Sequence, residues 1–324
     1  MGERPLALLS VVVPMYDEEA SVRAFYDRLV AALDGLSWEL VAVDDGSRDA
    51  TPALLDELAR DDDRVRVVHL SRNFGHQTAV SAGLDHVAGD AVVMLDADLQ
   101  DPPELIPTMV ARWREGSDVV YAARTQRDGE TPFKLSTARV FYRILGKLAD
   151  LPMQADAGDF RLLDRRALDA LLAMPERNRY LRGMTVWIGF TQTAVPYRRE
   201  ARHAGETKYP LRRMVRFAFD AIVSFSHAPL QAAMLLGFLF ATLAFLAIPV
   251  AIVMRYTGQF VPGATTTIIA VLLLGGIQLM AVGLIGEYVG RIYDEVKGRP
   301  LYVVRARVNV AAPSADEPDR LALP

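Results

Sequence analysis

The chain has 324 residues, of which 51% are hydrophobic and 23% are charged, with 36 basic and 40 acidic side chains. It contains no cysteine, which excludes a disulfide framework, a thiolate nucleophile and a cysteine-ligated zinc site. The net charge of −4 argues against general nucleic-acid binding, and the sequence has neither zinc-finger nor basic-zipper spacing.

Strand-like and helix-like stretches alternate between residues 8 and 200. Five apolar runs predict strands at 8–14, 38–44, 65–70, 91–95 and 119–123. The stretches between them predict helices near 19–36, from Thr51 onward, near 77–87 and near 103–115. Repeated β-α-β units of this kind predict a largely parallel sheet covered by helices. Ligands of such sheets bind beyond the carboxyl ends of the strands.

The segment after the first predicted strand excludes one class of enzyme. Residues 14–19 read P-M-Y-D-E-E, where a dinucleotide-binding domain carries G-x-G-x-x-G. Because no glycine occurs there, we do not expect a nicotinamide or flavin oxidoreductase of that type.

Carboxylates end the second and fourth predicted strands, as Asp44-Asp45 and as Asp96-x-Asp98. Asp96 and Asp98 can both face a hard cation, and Gln100 adds a neutral oxygen. Oxygen ligands with open positions suit Mg²⁺ or Mn²⁺ shared with a diphosphate. A lone D-x-D pair is explained equally well by loop solubility and helix capping. Asp44 and Asp45, expected at the same sheet edge, favour the metal.

The next segment is apolar enough for a membrane. Residues 229–290 contain only two charged side chains, Arg255 and Glu287. Within them, 230–254 and about 266–289 are apolar, and each exceeds the ~20 residues that cross a hydrocarbon core as a helix. Two buried core helices of a large soluble protein are the alternative. Basic residues dominate both flanks, so the positive-inside bias predicts a multi-pass inner (plasma) membrane protein with both flanks in the cytoplasm.

The expected organisation has four parts. They are a cytoplasmic domain at 1–205, an interfacial region at 206–228, two transmembrane helices at 229–290 and a cytoplasmic C-terminal tail at 291–324. Within the second part, 210–225 predicts an amphipathic helix in the headgroup layer, or alternatively a solvated basic helix packed on its own domain. Helix faces rich in glycine and alanine in the third part predict a homo-oligomer.

Several motifs together resemble those of a known family. They are Pro14-x-Tyr16-x-Glu18, Val43-Asp44-Asp45-Gly46-Ser47 and Asp96-Ala97-Asp98-Leu99-Gln100-Asp101-Pro102-Pro103. They are similar to motifs of family 2 glycosyltransferases with the A-type fold, and more narrowly of polyprenyl-phosphate glycosyltransferases such as dolichol-phosphate mannose synthases. The resemblance continues at 71–75, 159–165, 205–209 and 286–293. The two-span C-terminus is most similar to that of bacterial bactoprenol glucosyltransferases.

The resemblance implies both a fold and an activity. The fold is α/β, an A-type glycosyltransferase domain with a Rossmann-like, mostly parallel sheet, joined to interfacial amphipathic helices and a two-helix transmembrane hairpin. The activity is inverting transfer of a sugar from a nucleotide-sugar, UDP-glucose, to polyprenyl (undecaprenyl) phosphate at the cytoplasmic membrane face, with Mg²⁺ or Mn²⁺ as cofactor. The alternatives are a GDP-mannose-dependent polyprenyl-phosphate mannose synthase and a non-catalytic, membrane-anchored partner that binds nucleotide-sugar or transports lipid.

A processive polysaccharide synthase is a further alternative, because such enzymes share the N-terminal motifs. They carry a Q-x-x-R-W segment, and the Arg-Trp pair of this chain, Arg112-Trp113, has Met109 where that pattern needs glutamine.

The resemblance also implies roles for single residues. The expected nucleotide-sugar-binding residues are Pro14, Tyr16, Glu18, Asp44, Asp45, Arg72 and Asn73. The expected catalytic residues are Asp96, Asp98 and Asp159, and the expected metal ligands are Asp98, Gln100 and Asp96. Blander roles remain open: Tyr16 as a packed aromatic residue, Asp44 or Asp45 as a turn cap, and Asp159 as an ion-pair partner of Arg161 or a helix cap.

The acceptor needs cations rather than a strong base. A phosphate monoester has a second pKa near ~6 and is therefore close to doubly ionised at neutral pH. Arginine forks suit phosphate, and we expect Arg124, Arg139 and Lys208 to bind it. The histidines His76, His203 and His227 lack metal-ligand spacing and are expected to have local or interfacial roles.

Overall fold

The computed structural model describes residues 3–124, 157–198, 228–257 and 263–310. These residues fall into two compact units. The first holds 3–124, 157–198 and 299–310, and the second holds 228–257 and 263–298. The chain therefore leaves the first unit, forms the second and returns to the first near its end.

Within the described residues, the first unit is built around one sheet of eight strands. The strands are β1 Leu9–Met15, β2 Trp38–Asp44, β3 Val65–Leu70, β4 Ala91–Met94, β5 Val119–Arg124, β6 Ala157–Asp164, β7 Gln192–Tyr197 and β8 Val304–Val308. Strands β1, β2 and β4 are buried along their whole length. Continuous apolar runs of this kind are typical of parallel strands covered on both faces.

The order across the sheet is β7-β5-β6-β4-β1-β2-β3-β8. Strand β1 is parallel to β2 and β4, β2 is parallel to β3, and β5 is parallel to β7. Strand β6 is antiparallel to both β4 and β5, and β8 is antiparallel to β3. The predicted α/β fold with a mostly parallel sheet is confirmed. The sequence does not predict the two reversed strands, because side-chain periodicity carries no information on strand direction.

Helices connect the strands. They are α1 Val22–Ala32, α2 Thr51–Asp61, α3 His76–Leu84, α4 Ile106–Arg114, α5 Arg165–Leu172 and α6 Leu181–Trp187, and a short 3-10 helix at Pro103–Leu105 leads into α4. Helix α1 buries Val22, Phe25 and Leu29, which recur at the helical period. It ends before the boundary predicted near 36, because Gly35 takes the left-handed φ of +77° that is common just after helix ends.

The segment predicted as a C-terminal tail contributes to the first unit. Its strand β8 pairs with β3 at the edge of the sheet. Tyr302, just before β8, is buried, and its hydroxyl donates to Asp85 Oδ2 at 2.8 Å. Residues 301–308 read L-Y-V-V-R-A-R-V, which suits a short strand, but the sequence does not show which strand it pairs with. The partner strand, β3, is apparent only in the folded sheet.

The second unit contains two helices, α7 Ala228–Tyr256 and α8 Ala264–Val296. Within the described residues, Leu273–Val296 is long and apolar enough to cross a membrane. Helix α7 carries Pro249 in its interior, which membrane helices tolerate. The hairpin of two transmembrane helices stays a prediction. The interfacial region at 206–228 lies outside the described residues except for Ala228.

Candidate active site at the carboxyl edge of the sheet

The site lies where the parallel strands end. Strand β4 ends at Met94, so Asp96 follows it at this edge. Strand β6 runs in the opposite direction and therefore begins here, which brings Asp159 to the same edge. The pairing of Met94 with Arg161, continued by two residues, sets Asp96 opposite Asp159.

His76 joins these two carboxylates. It is the first residue of α3, and its Nε2 lies 3.6 Å from Asp96 Oδ1 and 3.6 Å from Asp159 Oδ2. Burial alone would lower the pKa of His76, but Asp159 and Asp96 raise it above its ordinary value. The sequence predicts only a local or interfacial role for His76, and the structure places its ring between two predicted site residues.

A second cation faces Asp159 from the neighbouring helix. Arg182 of α6 donates from Nε to Asp159 Oδ1 at 3.0 Å. Burial opposes ionisation of Asp159, yet hydrogen bonds and charge from His76 and Arg182 hold its pKa below the usual range. Arg161, the predicted ion-pair partner, is buried, and its guanidinium donates to Gly158 O at 2.9 Å and to Thr185 Oγ1. Asp159 is thus a stable carboxylate at neutral pH.

Asp96 has the opposite electrostatics. Desolvation raises its pKa to about 6, His76 opposes the rise, and the neighbouring carboxylates of Asp159, Asp101 and Asp98 add to it. Its side chain is 35% exposed. Crowded carboxylates of this kind favour either a bound proton or a bound cation.

The loop after β4 is held in an unusual conformation. Asp98 is buried, and its Oδ1 accepts the backbone N–H of Gln100 at 3.1 Å. Leu99 between them has φ of +59°, a left-handed value that a residue with a side chain rarely adopts. Backbone strain of this kind persists where the surrounding structure imposes it.

No group of three His, Asp or Glu side chains in the described residues is already arranged to hold a metal ion. The predicted ligand set of Asp98, Gln100 and Asp96 therefore stays a prediction. Its chemistry fits a hard cation, since it supplies oxygen donors with an excess of negative charge around Asp96.

Asp44 and Asp45 are both buried, and both are engaged with the protein. Asp44 accepts the N–H of Ser47 at 2.9 Å and pairs with His69 Nδ1 at 3.0 Å. Burial acts to raise the pKa of Asp44, but the His69 and Ser47 hydrogen bonds outweigh it and the pKa is lowered.

Asp45 holds a different loop. Its carboxylate accepts the backbone N–H groups of Phe74 at 2.7 Å and Gly75 at 2.9 Å. Burial raises the pKa of Asp45, these two bonds lower it, and the Asp44 charge raises it further, with a net rise. Asp45 therefore fixes the start of α3, where His76 stands.

Arg72 and Asn73 lie in this same loop, which passes directly over Gly46. A Cβ at Gly46 would lie 2.5 Å from the carbonyl carbon of Arg72 and 2.7 Å from Asn73 N. The side chain of Arg72 is exposed and stacks on Phe74, with its guanidinium carbon 4.0 Å from the ring centroid. Glycine at 46 is thus required twice, by its φ of +72° and by the approach of the loop.

The loop after β1 is tied to the loop after β2. The backbone N–H of Asp17 donates to Ser47 Oγ at 3.1 Å, and that of Glu18 donates to Thr51 Oγ1 at 2.9 Å. Pro14 lies in β1 and Tyr16 follows it, with 39% of Tyr16 exposed. An aromatic side chain packed only in the core would be buried, so the exposure of Tyr16 favours its predicted role in binding.

Of the three cations predicted for an anionic acceptor, the structure describes Arg124. It ends β5, and its Nε donates to Tyr197 Oη at 3.3 Å. Tyr197 in turn donates to Asp101. Burial raises the pKa of Tyr197 to about 12, and Asp101 adds to the rise, so the phenol keeps its proton. Arg139 and Lys208 lie outside the described residues.

A small cleft opens beside His76, Asp96 and Asp159. Its polar lining includes His76, Gln77, Asp96 and Asp159, and Leu181 of α6 forms part of its apolar lining. His76, Arg182 and Tyr197 also belong to this edge, and the sequence did not predict them there. For His76 a signal existed, because it directly follows Ser71-Arg72-Asn73-Phe74-Gly75, one of the family-like motifs.

Comparison with known proteins bears on this arrangement. A family model described as glycosyl transferase family 2 matches residues 10–172. An uncharacterized glycosyltransferase of Bacillus subtilis (strain 168) is 47% identical over 299 residues, which cover 91% of this chain and 93% of that protein. The bactoprenol glucosyl transferase of Shigella phage SfII is 38% identical over 300 residues, which cover 92% of this chain and 97% of that protein.

Similarity extends to further proteins. The prophage bactoprenol glucosyl transferase homolog of Escherichia coli (strain K12) is 37% identical over 300 residues, covering 92% of this chain and 98% of that protein. A crystal structure of glucosyl-3-phosphoglycerate synthase from Mycobacterium tuberculosis, in complex with Mn²⁺, UDP and phosphoglyceric acid, has a TM-score of 0.48 at 22% identity. That similarity covers 67% of this chain and 76% of the synthase. Because the family model spans half of the chain and the relatives align along nine-tenths of it, the chain is a glycosyltransferase that belongs to glycosyl transferase family 2.

Proposed function

We propose that this enzyme transfers glucose from UDP-glucose to the phosphate of polyprenyl (undecaprenyl) phosphate, with inversion at the anomeric carbon. One observation carries the proposal. Relatives named bactoprenol glucosyl transferase are 37–38% identical over 92% of this chain, a length that extends well beyond the family 2 domain into the apolar helices.

The donor nucleotide binds among the loops that follow β1, β2 and β3. Tyr16 is exposed there, and Pro14 and Glu18 flank it. Asp44 and Asp45 shape this pocket by holding the turn at Ser47 and the loop at Phe74 and Gly75. Arg72 and Asn73, on that second loop, contact the diphosphate side of the donor. The exposed guanidinium of Arg72 suits that contact.

A divalent cation, Mg²⁺ or Mn²⁺, would be held by Asp98, Gln100 and Asp96. The raised pKa of Asp96 supports this, since the crowding of carboxylates that raises it is relieved by a cation. Such an ion neutralises the charge that develops on a departing diphosphate.

The acceptor reacts without a strong general base. Its phosphate oxygen is already ionised near neutral pH. That oxygen attacks the anomeric carbon, the bond from this carbon to the donor diphosphate breaks, and UDP leaves with the electron pair. One in-line displacement of this kind inverts the configuration. Arg124, together with Arg139 and Lys208, orients the acceptor phosphate, which is the main requirement of such a step.

Asp159 organises the acceptor side and does not accept a proton. Its lowered pKa makes it a weak base at neutral pH. Its carboxylate fixes the guanidinium of Arg182 at 3.0 Å and the imidazole of His76 at 3.6 Å. His76 also lies 3.6 Å from Asp96, at the point where two phosphate-bearing substrates have to approach each other.

The two-helix hairpin in the membrane is supported by strand pairing. Strand β7 precedes the apolar helices and β8 follows them, and both belong to one sheet. The two flanks therefore lie on one side of any membrane, so the number of crossings between them is even. If Leu273–Val296 crosses, a second crossing is required, and α7 supplies it. The basic flanks predict that this common side is the cytoplasm of a plasma membrane protein.

The chain's lack of cysteine makes this topology directly testable. A single cysteine replacing Thr257, after α7, should react with an impermeant maleimide from outside the cell. A single cysteine replacing Arg305, in β8, should react only after the membrane is opened. Labelling of both from outside would contradict the arrangement.

Self-association in the membrane is part of the proposal. Gly275, Gly276, Gly283 and Gly286 lie on α8, and a Cβ at each would meet nothing within 4 Å in the single chain. Small residues of this kind let a neighbouring helix approach closely. Gel filtration in mild detergent should give a mass above the monomer, and a monomer mass alone would count against self-association.

The transfer reaction is tested with the purified full-length chain. It is incubated with polyprenyl phosphate and labelled UDP-glucose, GDP-mannose or UDP-N-acetylglucosamine, with and without Mg²⁺. Formation of a lipid-linked glucose of inverted configuration from UDP-glucose is expected only with the metal. Labelling from GDP-mannose alone would support the mannose synthase alternative. Donor binding without any transfer would support the non-catalytic one.

A further inference from the structure

The segment 299–309, which we call the C-terminal strap, is bonded at several points to the rest of the first unit. At its start, Arg177 donates to the carbonyl oxygens of Arg299 and, at 3.4 Å, of Pro300. In its middle, Tyr302 is buried and donates to Asp85 at 2.8 Å. At its end, Asn309 Nδ2 donates to the carbonyl oxygens of Ala59 at 2.6 Å and Val65 at 3.0 Å. The strap is therefore a fixed element and not a loose tail.

The strap bonds to β3 at the point where that strand leaves the regular ladder. Pairing of β8 with β3 shifts register between His69 and Leu70. Beyond the shift, the carbonyl oxygen of Val303 accepts the backbone N–H of Ser71 at 2.8 Å. Ser71 is the residue directly before Arg72 and Asn73, so the strap anchors the first residue of the loop that carries them.

The other end of this loop is anchored independently. Asp45 accepts the N–H groups of Phe74 and Gly75, and the backbone between lies against Gly46 without room for a Cβ. The loop is thus suspended between the strap and Asp45. Helix α3 begins immediately after it with His76, whose ring lies 3.6 Å from Asp96. Four residues separate Ser71 from His76, and Arg72 and Asn73 are the first two of them.

We propose that Val303 and Tyr302 of the strap are positioning residues for the nucleotide-sugar. Val303 acts through the Ser71 amide, and Tyr302 acts by fixing Val303 in place. The inference rests on the proposed function, because it takes Arg72 and Asn73 as donor-binding residues. It goes beyond that function in assigning a role at the donor site to the chain that follows the apolar helices. A strap that only covered the edge of the sheet would add stability without affecting nucleotide affinity.

The key variant is Ser71→Pro, which removes the amide donor to Val303 in a residue that follows an extended strand. Its comparison is Ser71→Ala, which loses the same hydroxyl but keeps the amide. In the full-length chain, UDP affinity is measured by calorimetry with Mg²⁺, together with the KM values of UDP-glucose and polyprenyl phosphate. Loss of one anchoring backbone hydrogen bond should weaken UDP binding about fivefold relative to Ser71→Ala. The acceptor KM should stay within about twofold.

A second variant guards against misfolding by proline. Tyr302→Phe keeps the buried ring and removes only its bond to Asp85. Hydrogen exchange of the Phe74 and Gly75 amides should become faster in both variants, with a weaker effect in Tyr302→Phe. Lower melting temperatures with unchanged UDP affinity and unchanged exchange in both variants would overturn the proposal, since a covering strand would behave that way.

The outcomes separate this inference from the proposed function. If the wild-type chain binds UDP but transfers no glucose, the proposed transfer fails, and the strap is still judged by UDP affinity in Ser71→Pro. If transfer proceeds normally and UDP affinity is equal in Ser71→Pro and Ser71→Ala, the proposed function stands and the positioning role of the strap is overturned.

Discussion

Asp96 and Asp159 lie opposite each other at the edge of the sheet where β4 ends and its antiparallel neighbour β6 begins. His76 Nε2 lies 3.6 Å from an oxygen of each. The two carboxyl groups differ in ionisation, because Arg182 stabilises the charge on Asp159 while desolvation and neighbouring carboxylates oppose the charge on Asp96. Asp159 is therefore a stable anion on one side of the cleft. Asp96, on the other side, would be stabilised in its ionised form by a bound cation. This difference leads to the first two predictions.

Replacing Asp96 by asparagine should stabilise the protein and inactivate it. The folded carboxyl has a pKa of about 6, raised from 3.8, so between these pH values the folded state holds a proton that the unfolded chain has lost. The free energy of unfolding therefore falls as the pH rises through this window. Asp96→Asn should remove that dependence and gain roughly 1 kcal/mol at pH 7.5, a value reduced from the full shift because solvent reaches the side chain.

The measurement is thermal unfolding of the detergent-solubilised chain at pH 5 and pH 7.5 in EDTA. The wild-type melting temperature should rise when Mn²⁺ replaces the EDTA, and that of Asp96→Asn should not, since the variant lacks a proposed ligand. Equal stabilisation of both proteins by Mn²⁺ would exclude Asp96 as a ligand.

Asp159→Asn should reduce kcat by about 100-fold, a loss comparable with removal of one preorganised electrostatic contact. The variant keeps the shape but loses the charge that fixes Arg182 and His76. The KM for UDP-glucose should change by less than about threefold, because the donor loops do not depend on this carboxylate. The matched control is Asp169→Asn, which removes an exposed carboxylate paired with Arg165. Steady-state kinetics of both variants are compared. A similar loss of kcat in Asp169→Asn would show that losing any ion pair is enough, and unchanged kcat there would support a specific role of Asp159.

Gly46→Ala should weaken binding of the nucleotide-sugar donor specifically. The new Cβ would lie 2.5 Å from backbone of Arg72, so the loop has to move. Gly35→Ala is the matched control, because Gly35 has a similar φ of +77° but meets nothing within 4 Å. Both variants incur the ~1 kcal/mol cost of a left-handed alanine. Gly46→Ala should melt at a lower temperature than Gly35→Ala, because its backbone clash adds to that cost. Only Gly46→Ala should raise the UDP-glucose KM, by about tenfold, and equal KM values in the two variants would refute the donor role of this loop.

Arg124→Ala should weaken binding of the polyprenyl phosphate acceptor. Arg124 ends β5 and is held by Tyr197, which in turn bonds to Asp101, so its guanidinium is preorganised. Loss of a charge-assisted contact to phosphate should raise the polyprenyl phosphate KM about tenfold. Arg28→Ala serves as the control, because it breaks an ion pair between Arg28 of α1 and Glu104 of the 3-10 helix. Its polyprenyl phosphate KM should stay within about twofold of the wild-type value. A donor KM that rises in place of the acceptor KM would move Arg124 to the other half of the site.

Much of the catalytic fold was readable from residue patterns. The five predicted strands match β1 to β5 within one or two residues, because β-branched runs bounded by polar turns have few other conformations. The motifs at strand ends were found for a related reason. In a parallel sheet every carboxyl end meets the same edge, so Asp44, Asp45, Asp96 and Asp98 could be grouped before their geometry was known.

The sequence by itself thus determined the family, the parallel strands and the acidic edge of the sheet. Only the tertiary structure decided which groups meet there. Strand β6 runs backwards, so Asp159 begins a strand at the edge where Asp96 ends one, and strand direction leaves no trace in a pattern of period two. His76 becomes a site residue because Asp45, thirty-one positions earlier, holds the first turn of its helix. Strand β8 joins the sheet because β3 offers an unpaired edge, a partner that lies more than two hundred residues away in the chain.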